Sequence, residues 1–172
     1  MYQVCSTLLY HNMPSSIYPT WVQGEYEVSL RRVAPNLWIG GRKAKRYGRF
    51  VAIVDLYGLN PHPQAVVIPF ADGCQFPAGS LERIEEITRA YRQHGPVLIH
   101  CQAGLSRSAS AAVAMLLREG VGLREAIRRV QAGTGKRHLP RLETLASAVH
   151  WAGGPAALGA LLDGHDYFLA GK

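Results

Sequence analysis

Three cysteines in 172 residues are too few to staple a small secreted domain, which points to a reducing compartment, the cytosol. No uninterrupted apolar run approaches 18 residues, so a membrane-spanning helix is not expected. The first residues lack a basic cluster followed by a hydrophobic segment, which argues against export. Neither His62, His94, His138, His150 nor His165 stands at a spacing suited to a metal, and they read as surface or capping residues. No internal repeat is present. Acidic residues are scarce, 12 against 19 lysines and arginines, and the resulting net charge of +7 favours acidic partners. What is there is ordinary for a globular chain: 48% hydrophobic and 18% charged residues argue against disorder and suit one substantial core.

The informative stretch is His100 to Ser108, His-Cys-Gln-Ala-Gly-Leu-Ser-Arg-Ser. An arginine six positions after a cysteine is weak evidence alone, since 3 cysteines and 15 arginines in 172 residues give roughly 0.26 such matches by chance. The context is stronger. The apolar Val97-Leu98-Ile99 before it and the small, apolar Ala109 to Leu117 after it predict a strand, a tight loop and a helix. Gly104 lets the loop turn beside an anion, Ser106 and Ser108 add hydroxyls, and a helix starting near Arg107 aims free N–H groups back at the loop.

Chemistry explains this spacing. A cysteine attacks phosphorus only as thiolate, and a free thiol is mostly protonated at neutral pH. Stabilising the anion by ~3 pH units takes ~4 kcal/mol, to be supplied by the helix start, the backbone N–H groups from Gln102, Ala103, Gly104, Leu105 and Ser106 to Arg107, and the Arg107 charge. The same donors would bind a phosphate dianion. Arg107 can grip two oxygens at once. Ser108 can donate a hydrogen bond to the Cys101 sulfur when it has to leave, and His100 reads as an orienter and not a base.

At this point the chain resembles a known family. Val97 to Arg107 looks like the signature loop of cysteine-dependent phosphatases, and Ser108-Ala109-Ser110 looks most like the dual-specificity branch. Asn36 to Gly41, Phe50 to Leu56 and Leu123 to Ile127 resemble other elements of that branch, so that about residues 27–152 are covered. The resemblance implies a phosphomonoester hydrolase acting on phosphotyrosine and phosphoserine or phosphothreonine in proteins. It also implies Cys101 as nucleophile, Arg107 as phosphate clamp, a loop aspartate as general acid, and neither metal nor cofactor. The family sets that aspartate about thirty residues before the cysteine. Asp72, 29 positions upstream in Phe70-Ala71-Asp72-Gly73, answers to this, with Asp55 as its rival at the end of a strand.

The coarse reading is an α/β fold, a central mixed sheet of about five strands with helices on both faces and the phosphate loop between the last strand and its helix. Strands are expected at Glu27–Val33, Leu37–Gly41, Phe50–Leu56, Ala65–Pro69 and Val97–His100. Helices are expected at Ser80–His94, Arg107–Glu119, Leu123–Ala132 and Pro140–Ala152, each closed by a glycine. That divides the chain into an N-terminal extension, 1–24, a catalytic domain, 25–152, and a C-terminal extension, 153–172.

Other features take plainer readings. Arg42, Lys43, Lys45, Arg46 and Arg49 are read as a solvated helix face before a nucleic-acid surface, because Tyr47 is the only ring among them. Trp38 and Trp151 are read as core anchors. Cys74, two residues past Asp72, is either an unrelated loop thiol or a protective partner for Cys101. Two other enzyme classes, sulfurtransferases and arsenate reductases, also seat a reactive cysteine in an anion loop. Phosphatases of phosphoinositides or RNA 5′ ends share the mechanism as well. The loop residues between Cys101 and Arg107 are all neutral, which fits a single phosphate better than a crowded one.

Overall fold

The computed structural model describes residues 29–46, 48–132 and 140–164. The extension expected at 1–24, and with it Glu27, Tyr47, His138 and His165, lies outside the described residues. Five strands form one mixed sheet: β1 (Arg31–Ala34), β2 (Leu37–Gly40), β3 (Ala52–Asp55), β4 (Ala65–Val67) and β5 (Val97–His100), in the order β1-β2-β5-β3-β4. Only the β1–β2 pair is antiparallel. Its turn explains why. Pro35 fixes one central residue and Asn36 takes φ 54°, a left-handed position that asparagine tolerates, so the chain reverses in two residues.

The parallel strands are continuously apolar because both faces are covered. On one side Leu37, Ile39, Val54 and Ile99 meet four helices: α1 (Ser80–Tyr91), α2 (Arg107–Arg118), α3 (Leu123–Gln131) and α4 (Leu142–Asp163). On the other, Ile53 and Leu98 lie with Trp38 and Phe50 around Ala44, in a single 3-10 turn at Ala44–Arg46. Helical structure therefore covers both faces unequally, and part of the basic cluster is that short turn. The central helix is α2, whose residues from Arg107 to Leu116 are all buried. Its small residues, Ser108 to Ala112, let the sheet and α4 approach closely, while Met115 and Leu116 each contribute ~2–3 kcal/mol of apolar burial.

Helix α4 departs from expectation. Gly153 does not end it; the break falls at Gly154 (φ 68°), and Pro155 opens a second segment in the position where its missing N–H costs nothing. That segment reaches Asp163 and puts Leu161 in the main core, so residues 155–163 pack on the catalytic fold. Taken as one element, α4 is long and apolar enough by length and composition to cross a membrane, a property hidden from a search for uninterrupted apolar runs. Trp151 is half-buried, donates Nε1–H to Glu82 Oε1 at 2.7 Å and lies under the Arg118 guanidinium.

Candidate active site

The site lies at the carboxyl ends of the parallel strands, where α/β sheets bind ligands. Sheet pairing continues past β5 into the loop. Cys101 N–H donates to Gly40 O at 3.2 Å, Leu56 N–H to His100 O at 2.8 Å, and Arg42 N–H to Gln102 O at 2.9 Å. Cys101 is thus fixed from both neighbouring strands. Its Sγ lies 3.3 Å from Ser108 Oγ and accepts the Gly104 N–H at 3.3 Å. Gly104 is obligatory: it has φ 75°, and a Cβ there would stand 2.5 Å from Gly40 C and 2.6 Å from Gly41 N.

Arg107 is the first residue of α2 and is 5% exposed. Its Nη1 donates to Leu56 O at 3.0 Å and Phe70 O at 2.6 Å, and its guanidinium lies 5.3 Å from the centroid of the Tyr57 ring. Its Nε has no hydrogen-bond partner among the described residues. One end of the fork is therefore anchored to the loops after β3 and β4, while Nε keeps a hydrogen bond to give to an oxyanion.

Asp55, the rival for the acid role, is fully buried. Its Oδ1 accepts the N–H groups of Tyr57 at 2.7 Å and Gly58 at 2.9 Å, an Asx turn that shapes the segment holding Arg107. His100 Nε2 lies 3.5 Å from Asp55 Oδ2 without a hydrogen bond. Burial holds the imidazole down at about 4, against an opposing pull from Asp55, so it is neutral at physiological pH.

Asp72 stands apart from these buried groups, about a third exposed, with Oδ1 3.9 Å from Arg107 Nε and Oδ2 3.3 Å from Arg141 Nε. Its loop is pinned by the start of α4. Thr144 Oγ1 donates to Cys74 O at 2.8 Å, Phe76 N–H donates to Ser147 Oγ at 3.2 Å, and the Phe70 and Phe76 rings meet at a tilt of 50° with their centroids 4.7 Å apart. Arg141 N–H in turn donates to Ser106 Oγ. A cavity of about 280 Å³ has Asp72, Cys101, Arg107 and Arg141 on its walls, together with Gln102, Ala103, Leu105 and Ser106 of the loop. Gly104 and Ser108 are expected site residues that lie behind the loop, turned toward Cys101 and not into the cavity. Cys74 and Cys101 are both free thiols.

Sequence reasoning did not find Arg141, Tyr57 or the carbonyls of Leu56 and Phe70. No local motif marks them, because each acts through a contact made only in the folded chain.

A parallel sheet feeding a cysteine into an anion cradle, with an arginine at the start of the following helix, is the arrangement expected of a cysteine-dependent phosphatase. Residues 66–146 match the family model for the dual specificity phosphatase catalytic domain. A mouse putative dual specificity phosphatase, solved with zinc tungstate, is similar at 25% identity over 87% of this chain and 96% of its own, with a TM-score of 0.60. Human DUSP28 is similar at 26% identity over 78% of this chain and 95% of its own, with a TM-score of 0.57. PTPMT1 in complex with PI(5)P shares the fold at 16% identity, covering 77% of this chain and 98% of its own, with a TM-score of 0.57. No curated protein matches the chain by sequence. The match over residues 66–146 and these likenesses support the dual-specificity phosphatase family and an enzyme of the cysteine-dependent phosphatase class.

Proposed function

We propose that this enzyme removes single phosphates from tyrosine and from serine or threonine in cytoplasmic proteins, through a phosphocysteine at Cys101. The observation that carries the reading is the Arg107 fork, tied at Nη1 and without a hydrogen bond at Nε, beside a cysteine sulfur that already accepts a backbone N–H. The Cys101 thiolate attacks phosphorus while Arg107 Nε–H and the loop N–H groups hold the equatorial oxygens. The P–O bond to the alcohol breaks, and Asp72 supplies its proton to the departing oxygen. In the second step Asp72 takes a proton from water, the water oxygen bonds to phosphorus, and Ser108 Oγ–H stabilises the sulfur as the S–P bond breaks.

Exposure supports Asp72 over Asp55 as the acid, because Asp55 is sealed in the sheet and already holds two N–H groups. The neutral cavity wall from Gln102 to Ser106 supports a single phosphomonoester. One observation favours a second reading, phosphoinositides or RNA 5′ ends: the Arg42 N–H to Gln102 O bond brings the basic segment up to the loop. The deciding measurement is kcat/KM at one ionic strength on phosphotyrosyl peptides, phosphoseryl or phosphothreonyl peptides, phosphoinositides and RNA 5′-triphosphate ends. The peptides are expected to lead. A clear lead for either of the other classes overturns the protein-substrate reading, and failure to trap one phosphoryl group on Cys101 by rapid quench and mass spectrometry overturns the covalent mechanism.

A further inference from the structure

Arg31, on the edge strand β1, is 4% exposed and lies seventy residues from the signature loop in sequence, yet it touches that loop. Its Nη2 donates to Gly104 O at 2.9 Å, its Nε to Val130 O in the last turn of α3 at 2.7 Å, and its Nη1 to Ser29 O at 2.9 Å. Each of these contacts is to a carbonyl, and no carboxylate pairs with it among the described residues. An arginine buried this deeply without a counter-ion is expensive, and a cation that merely capped α3 could do so from the surface.

Its position relative to Gly104 gives the burial a purpose. In a planar trans peptide the C=O and the following N–H point in opposite directions. Drawing Gly104 O toward Arg31 therefore turns the Leu105 N–H the other way, and Leu105 lies on the cavity wall. On the same residue, Gly104 N–H is aimed at Cys101 Sγ. A carbonyl left unheld here could turn inward and present a partial negative charge to the anion.

We propose that Arg31 is a positioning residue of the active site: it locks the 104–105 peptide with its N–H toward the cradle, and its buried charge favours the Cys101 thiolate. This rests on the phosphatase reading for its purpose, but not for its test. The other charged or titratable groups around Cys101 are Arg107 from α2, Asp72 from its loop, Arg141 at the start of α4 and neutral His100 from β5. Burial brings Arg31 down to about 10, so it remains a cation at neutral pH, and a negative Cys101 favours that charge.

The test uses the full chain with Arg31→Met and Arg31→Lys and two readouts that need no turnover: the rate at which iodoacetamide alkylates Cys101 at pH 6, and the protection that inorganic phosphate gives against it. Arg31→Met is expected to slow alkylation about tenfold and to weaken phosphate protection about tenfold. Arg31→Lys keeps the charge but cannot span three carbonyls, so alkylation should stay within about threefold while protection still weakens. Wild-type alkylation and wild-type protection in Arg31→Met, whatever its melting temperature, would reduce Arg31 to a brace and overturn the proposal. If Arg31→Met does not fold, Arg31→Lys decides: undiminished phosphate protection overturns the locking role. Because neither readout requires hydrolysis, loss of the phosphatase reading would show separately, as absent turnover in the wild type.

Discussion

Replacing Gly104 by alanine should do much more damage than the same change at a glycine of similar backbone angle. At Gly104 the new methyl would sit 2.5–2.9 Å from three backbone atoms of Gly40 and Gly41, which have no side chain that can swing away. Ordinary contact requires about 3.5 Å, so the loop must retreat by roughly 1 Å. Holding alanine at positive φ costs about 1–2 kcal/mol, and forcing an extra methyl into a packed contact about 1–3 kcal/mol more. For a chain of this size that corresponds to a melting temperature lower by about 5–15 °C. The retreat also takes Gly104 N–H away from Cys101 Sγ, and a displacement of about 1 Å costs on the order of 10²-fold in rate. Gly120, with φ 82° and nothing within 4 Å of its would-be Cβ, is the control. Gly120→Ala pays the dihedral cost alone and should keep full activity. The assay is paired thermal melting and aryl phosphate kcat/KM for both variants. Equal melting shifts, or an active Gly104→Ala, would refute the claim that the loop is wedged against the end of β2.

The remaining predictions follow from the same contacts. Arg107→Lys should lower kcat at least about 10²-fold, since one ammonium cannot hold Leu56 O, Phe70 O and a substrate oxygen together; steady-state kinetics near wild type would exclude the clamp. Asp72→Asn should slow phenyl phosphate far more than a nitrophenyl ester, because only the more basic leaving group needs a proton; equal losses on both would remove Asp72 from that role. Asp55→Ala strands the N–H groups of Tyr57 and Gly58, so denaturant melts should show a loss of about 2–3 kcal/mol, with the ratio between the two esters unchanged. His100 is held near 4 in the folded state against about 6.5 unfolded, so the unfolded chain takes up the proton first. Stability should thus fall by about 2–3 kcal/mol more in wild type than in His100→Asn as pH drops from 7 to 4.5; parallel stability curves would contradict this.

The strand-loop-helix around Cys101 was legible because three local signals agree there: a buried apolar run, a glycine that must take positive φ, and small residues on the helix that follows. β5 accordingly has its expected bounds. β1 runs from Arg31 to Ala34 with Ser29 and Leu30 outside it, because its hydrophobic alternation is weak and the Pro35–Asn36 turn sets its register. The stop read at Gly153 lies one residue from the observed break at Gly154, and what the sequence reading missed is the helical segment beyond it. A glycine that ends one helix does not tell whether another begins, and here Pro155 starts a second segment at once. Arg31 and Arg141 carried no signal at all, since an isolated arginine on a strand or after a loop looks like any surface cation until a distant carbonyl or carboxylate is brought to it.

The pinning of the Asp72 loop by α4 bears on how such enzymes can be recombined. The aspartate precedes the signature cysteine, but Arg141, Thr144 and Ser147, which hold its loop, all follow it. A chimera that exchanges residues 70–77 alone would import a loop without its moorings. The transferable unit is two separate stretches, 70–77 and 141–147, and libraries aimed at new leaving groups should vary them jointly, with the cradle between them left as it stands.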